Sequence, residues 1–156
     1  MQHIDHVVLR VRDIERSQAF YCDLLGCEVV RRRDDLGLVH IRAGTSMIDL
    51  VAVDGAIGKM GGCAAATEGR NVDHICLRIE PFNQAYIFAL VDAHDVSRSV
   101  DTQINFGAEG DGPAIYLVDP DGNTIELKGP VEPAQLAKTE AVIDRATIVK
   151  VKSALS

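Results

Sequence analysis

The chain has 156 residues, 47% of them hydrophobic and 25% charged, with a formal net charge of −7 at pH 7. That length is enough to bury an ordinary core without staples, and the acidic balance argues against nucleic acid or an anionic membrane as the main partner. The four cysteines form no C-x-x-C pair, no basic-then-apolar leader opens the chain, and no apolar run is long enough to span a membrane; a cytoplasmic protein with reduced thiols is expected.

Residues 4–11 alternate as a strand, with Val7, Leu9 and Val11 on one face and His6, Val8 and Arg10 on the other. Asp13 is placed to N-cap a helix over 14–25, whose inward stripe is Ile14, Ser17, Phe20, Tyr21, Leu24 and Leu25, with Gly26 just past its end. Strands are expected near 27–33, 38–43 and 47–53, giving a βαβββ order. Arg31-Arg32-Arg33 runs directly into Asp34-Asp35, which reads as a solvated strand end rather than a basic site.

Residues 54–71 are rich in Gly and Ala and read as a connecting loop long enough to serve as a cover. At Asp73 the opening phrase returns: Asp5-His6-Val7-Val8-Leu9-Arg10-Val11 becomes Asp73-His74-Ile75-Cys76-Leu77-Arg78-Ile79. Such a recurrence marks a duplicated unit. A helix near 82–93 follows, then a looser stretch over 101–113, then strands 114–118 and 123–128 around the turn Asp119-Pro120-Asp121-Gly122. The fold class expected is α+β, with two tandem βαβββ modules forming a paired, cupped mixed sheet around a central cavity. Module one covers 4–53, the linker 54–71 and module two 72–130 of a single domain over 1–130. Residues 131–156 are a C-terminal extension, with a helix expected over 133–146 and a strand over 147–151.

Each module closes on a carboxylate between aliphatic residues, Ile48-Asp49-Leu50 and Ile125-Glu126-Leu127. Alternation puts the aliphatics on the helix side and leaves Asp49 and Glu126 on the side of the two histidines. Modules packed about a pseudo-twofold would bring His6, Asp49, His74 and Glu126 together. Two imidazoles and two carboxylates suit Zn, Ni, Fe(II), Mn or Co without strong selectivity. Taken singly, each has a plain structural alternative, a hydrogen-bonded histidine or a solvent-facing carboxylate. The duplication favours the shared site, because a carboxylate facing a closed space is costly unless paired or metallated. Cys76, beside His74, reads as packing.

The paired βαβββ units, the D-H-x-x-L-x-V openings, Phe20-Tyr21 with Gly26, and the close from Asp119 to Leu127 together resemble the vicinal oxygen chelate superfamily. That group includes glyoxalase I, methylmalonyl-CoA epimerase, extradiol dioxygenases, fosfomycin-resistance enzymes and bleomycin-binding proteins. The resemblance covers about residues 4–130 and implies that His6, Asp49, His74 and Glu126 are the metal ligands. Asp49 departs from the Glu or Gln usual in glyoxalase I-like sequences.

The resemblance further implies a metal-dependent lyase or isomerase of the glyoxalase type acting on a small vicinal-oxygen substrate. Glu126, with Asp49 sharing the role, would move the proton. Arg10, Arg78 and Lys128 are candidates for holding an anionic tail such as that of glutathione; a solvated edge or salt bridges to Asp5 and Asp73 would explain them equally. An extradiol dioxygenase would use His6, His74 and Glu126 as its triad, with His40 and Tyr116 nearby, though 4% aromatic content speaks against a large ring substrate. A third reading is a non-catalytic small-molecule binder. The expected partners are a small molecule and a second copy of the chain.

Overall fold

The computed structural model describes residues 2–131, so the helix and strand expected in the C-terminal extension lie outside the described residues. The chain divides into two compact units, Met1–Asn71 and a second beginning at Val72.

In the first unit, β1 (His6–Val11) is followed by α1 (Ile14–Gln18), then β2 (Glu28–Arg33), β3 (Leu38–Ala43) and β4 (Ser46–Ala52). Asp13 caps α1 as expected, its side chain accepting from the Arg16 amide at 3.0 Å. The helix does not continue as one regular piece: residues Ala19–Leu24 widen into π geometry and close with Gly26 at φ +75°. The inward stripe survives this change, with Ser17, Phe20, Tyr21 and Leu24 all buried. Replacing Asp13 by Ala removes the cap acceptor and should cost about 1 kcal/mol, read as a lower urea midpoint at an unchanged m-value.

The sheet order is β1-β4-β3-β2, with β1 parallel to β4 and the remaining pairs antiparallel. Alternation sends Val39, Ile41, Ile48, Leu50 and Val11 into the core, each at most 2% exposed. α1 packs on β4, the strand that contributes Ile48 and Leu50 to this apolar face. The opposite face carries His6, Asp49 and His40, because the register pairs Val8 with Asp49 and Asp49 with His40.

The second unit repeats the plan with β5 (His74–Arg78), α2 (Gln84–Ala93), β6 (Gln103–Gly107), β7 (Gly110–Val118) and β8 (Thr124–Lys128), in sheet order β5-β8-β7-β6. Asn83 caps α2, and Ile87 and Val91 are its buried residues. Residues 101–113, expected to be loose, instead contain β6 and the first part of β7, paired through a hairpin at Gly107 and Gly110. Three glycines and a proline in this stretch hid the ladder. The Asp119–Gly122 turn holds as expected: Asp119 accepts from the amides of Asp121 and Asn123, and Gly122 takes φ +79°. The architecture is thus two four-stranded mixed sheets with few helices, in two tandem βαβββ modules.

Candidate functional site

Each module places a histidine of its first strand and a carboxylate of its last strand on one sheet face. In the second unit they touch: His74 Nε2 lies 3.1 Å from Glu126 Oε2. In the first unit His6 and Asp49 share a face on adjacent strands, and Asp49 accepts from or pairs with His40 Nδ1 at 2.8 Å. Among the described residues no group of three or more His, Cys, Asp and Glu side chains stands together as a metal cluster.

The preceding aspartates have a use in both modules. Asp5 Oδ1 holds His6 Nδ1 at 2.7 Å and Asp73 Oδ2 holds His74 Nδ1 at 3.0 Å. A carboxylate on Nδ1 fixes the ring and leaves Nε2 for whatever lies on the sheet face, which is how ligating imidazoles are oriented. The D-H dipeptide is therefore one functional unit, an orienting acid followed by the group it orients. Within each unit an imidazole and a carboxylate share one sheet face, each in contact with a partner that could orient it, and both are donor types that bind divalent metals.

Glu126 is buried, at 4% exposure. Burial pushes its carboxyl up, but donation from His74, Asn105 and Cys76 outweighs this and holds it below the usual glutamate value. The hydrogen bond to Glu126, aided by Asp73 and opposed by burial, raises His74 to about 9. His6 is also raised, chiefly by Asp5. Burial, with the Glu126 charge adding to it, pushes the Cys76 thiol up to about 12, so it keeps its proton at neutral pH.

These shifts set a pH dependence for the metal-free protein. His74 is raised above its unfolded value of 6.5, so its contribution is complete below that pH and fades as pH rises through about 9. Glu126 is lowered below 4.5, so its contribution is complete above that pH and is lost in acid. Denaturant midpoints should therefore fall on the alkaline side between these two His74 values, and His74→Gln should flatten that limb.

The remaining predicted residues divide into two groups. Tyr116 and His40 stand opposite Glu126 and Asp49 respectively in the register, on the same faces as the histidine–carboxylate pairs. Tyr116 is buried with its ring edge-on to His74, centroids 5.7 Å apart. Burial, then the Glu126 charge, raises the phenol above its usual value.

The three cations are instead engaged within their own units. Arg10 donates to the carbonyls of Gly58, Gly61, Gly62 and Cys63 at 2.6–2.9 Å, so it braces the loop after β4. Arg78 is tied to Glu109, Glu80 and the Ile79 carbonyl. Lys128 is buried and donates to the Gly110 carbonyl at 2.9 Å, its stem lying along Gly107 and its ammonium beside Gly112. Arg32 and Arg33 pair with Glu15, Asp34 and Asp35, in keeping with a solvated strand end.

One site residue was not anticipated. Asn105 of β6, 8% exposed, donates to Glu126 Oε1 at 2.9 Å and to Tyr116 Oη at 2.6 Å. The alternation Gln103-Ile104-Asn105-Phe106 was the available signal, and it was masked by the glycines that follow.

Comparison with known proteins agrees with this fold. Human mitochondrial methylmalonyl-CoA epimerase is 26% identical over 132 residues, spanning 80% of this chain and 72% of that protein, and the bovine enzyme is 25% identical over a similar span. Among solved structures, a virulence protein of Salmonella typhimurium superposes with TM-score 0.66 at 24% identity, covering 84% of this chain and 98% of that one. Lactoylglutathione lyase from Agrobacterium tumefaciens superposes with TM-score 0.56 at 20% identity, covering 83% of this chain and 94% of that one. An antibiotic-binding protein from Streptomyces gives TM-score 0.60 at 17% identity, covering 84% and 98%. These structural likenesses speak to the fold. The family profile of the Glyoxalase/Bleomycin resistance protein/Dioxygenase superfamily matches residues 3–127, and the chain belongs to that superfamily.

Proposed function

We propose that His6, Asp49, His74 and Glu126 hold a divalent metal ion, and that the protein is a glyoxalase-type lyase or isomerase for a small substrate with two neighbouring oxygens. The observation that carries this reading is the repeated pair, a strand histidine oriented by the preceding aspartate with a last-strand carboxylate on the same face. When bound, the metal would polarise a substrate oxygen as a Lewis acid and so acidify the neighbouring C–H.

The chain's own residues account for the proton. Glu126 is ionised at neutral pH, its Oε1 accepting from Asn105 and its Oε2 facing His74 Nε2 at 3.1 Å, and this carboxylate is the group that would accept a proton from carbon and return it. Asp49, paired with His40, offers a second carboxylate of the same kind in the other module. Asp5 and Asp73 keep the two imidazoles oriented throughout.

The test is turnover of the hemithioacetal of methylglyoxal and glutathione by protein loaded in turn with Zn, Ni, Co and Mn, run in D₂O. Deuterium appearing at the carbon next to the carbonyl, lost in Glu126→Gln, is the expected result. Absence of both turnover and exchange with every metal would count against it.

A second reading has one specific observation in its favour, the placement of Tyr116 and His40 directly opposite the carboxylates. Fe(II)-loaded protein that consumed O₂ with a catechol would favour ring cleavage over isomerisation.

A further inference from the structure

The Asn105 amide bridges two groups that together dictate its orientation. Asn105 Nδ2 donates to Glu126 Oε1 at 2.9 Å, so the side of Asn105 that faces the carboxylate is its NH₂. The same Nδ2 lies 2.6 Å from Tyr116 Oη. An amide NH₂ has no lone pair to offer in return, so the phenol oxygen must be the acceptor in that contact.

The hydroxyl hydrogen of Tyr116 is therefore directed elsewhere. Among the described residues no acceptor is within hydrogen-bond distance of it, although Tyr116 is only 3% exposed. A buried O–H without an acceptor is costly, and the group it lacks is one that a ligand can bring.

We infer that Asn105 is a positioning residue that turns the Tyr116 hydroxyl proton toward the ligand face, making Tyr116 a neutral hydrogen-bond donor for an acceptor oxygen of the bound molecule. This rests on the proposed function and narrows its substrate class. The oxygen that meets Tyr116 is a carbonyl, carboxylate or enolate oxygen, and a ligand presenting an ammonium there is rejected. Donation to an oxyanion strengthens as negative charge develops on it, so the contact favours the charged form of the substrate.

Two measurements test this. The first is the tyrosine Fermi doublet near 850 and 830 cm⁻¹ in ultraviolet resonance Raman of the metal-free protein, isolated for Tyr116 by subtracting the Y116F spectrum. Its intensity ratio is high when the phenol oxygen accepts and low when the hydroxyl mainly donates. The wild type should give the high ratio. N105D, whose carboxylate would draw the hydroxyl proton to itself, should give the low one, and N105S, too short to bridge, should fall between them. An unchanged ratio in both variants would overturn the inference.

The second is a double-mutant cycle on binding of oxalate, a probe with two neighbouring oxygens, to the Zn(II)-loaded protein. Y116F and N105D should each weaken oxalate by roughly ten- to a hundredfold, the range for a hydrogen bond to a charged group. The double variant should be no weaker than Y116F alone. Full additivity would show that Asn105 acts without Tyr116 and would overturn the inference. A wild type that takes up no Zn(II) yet shows the expected Raman series would fail the metal reading while leaving the Asn105–Tyr116 geometry intact, so the two failures are distinguishable.

Discussion

Glu126→Gln should nearly abolish metal uptake while leaving the fold in place. The substitution keeps the shape and an oxygen that can still accept from Asn105, but it removes the negative charge that His74 now faces at 3.1 Å. Loss of a partner that merely orients a ligand costs about 10–100-fold in metal affinity. Loss of the charged ligand itself should exceed that range, as read by competition with a chromogenic Zn(II) chelator. The same variant has a signature independent of metal. His74 stands at about 9 chiefly because of its bond to Glu126, so its imidazole titration in the metal-free variant should move back toward 6.5, followed by NMR of the ring protons. A His74 midpoint that stayed near its wild-type position would mean that Glu126 is not its dominant partner.

Gly58→Ala should be the most damaging small substitution in the loop after β4. A Cβ at this position would collide with the Ala52 carbonyl and stand 2.9 Å from Val53 Cα. These are backbone atoms and cannot rotate away, so the turn at Gly58–Gly61 must shift. Overpacking of this kind costs about 1–3 kcal/mol. The shift also withdraws the Gly58, Gly61 and Gly62 carbonyls from Arg10, whose guanidinium gathers them. Arg10, whose buried Nε already lacks an acceptor among the described residues, would then lose partners of its Nη groups as well, which adds to the cost. Urea unfolding should show the loss, and limited proteolysis should show new cleavage near Cys63. Gly44→Ala provides the contrast: nothing lies within 4 Å of its added Cβ, so only the left-handed φ of +62° is at stake, about 1 kcal/mol.

The placement of each histidine with a carboxylate on one sheet face was legible in the sequence because two signals coincided. Strand alternation fixed the side on which His6, Asp49, His74 and Glu126 lie, and the repeated D-H phrase fixed their equivalence. The N-cap at Asp13 and the turn at Asp119 were legible for a similar reason: a short polar side chain satisfying nearby amides is a local event.

What escaped depended on contacts distant in sequence or on subtle backbone choices. Arg10 and Lys128 lie on the faces that alternation assigns them, yet the Arg10 Nη groups and Lys128 Nζ donate to carbonyls of residues 58, 61, 62, 63 and 110. No local pattern announces such partners. The widening of the helix over Ala19–Leu24 kept the same residues buried, so the apolar stripe gave no sign of it. Asn105 was hidden because β6 sits on an edge, with Phe106 81% exposed on its outer side, and its hairpin is flanked by Gly107 and Gly110.

Anomalous diffraction, collected on both sides of the metal absorption edge from protein crystallised without chelator, tests the metal assignment most directly. The expected result is a peak about 2.0–2.3 Å from His74 Nε2, Glu126 Oε2, His6 Nε2 and an Asp49 oxygen, with Asp5 and Asp73 still on the Nδ1 atoms. A peak bonded to other side chains, or none after loading while His74 and Glu126 remain paired to each other, would contradict it.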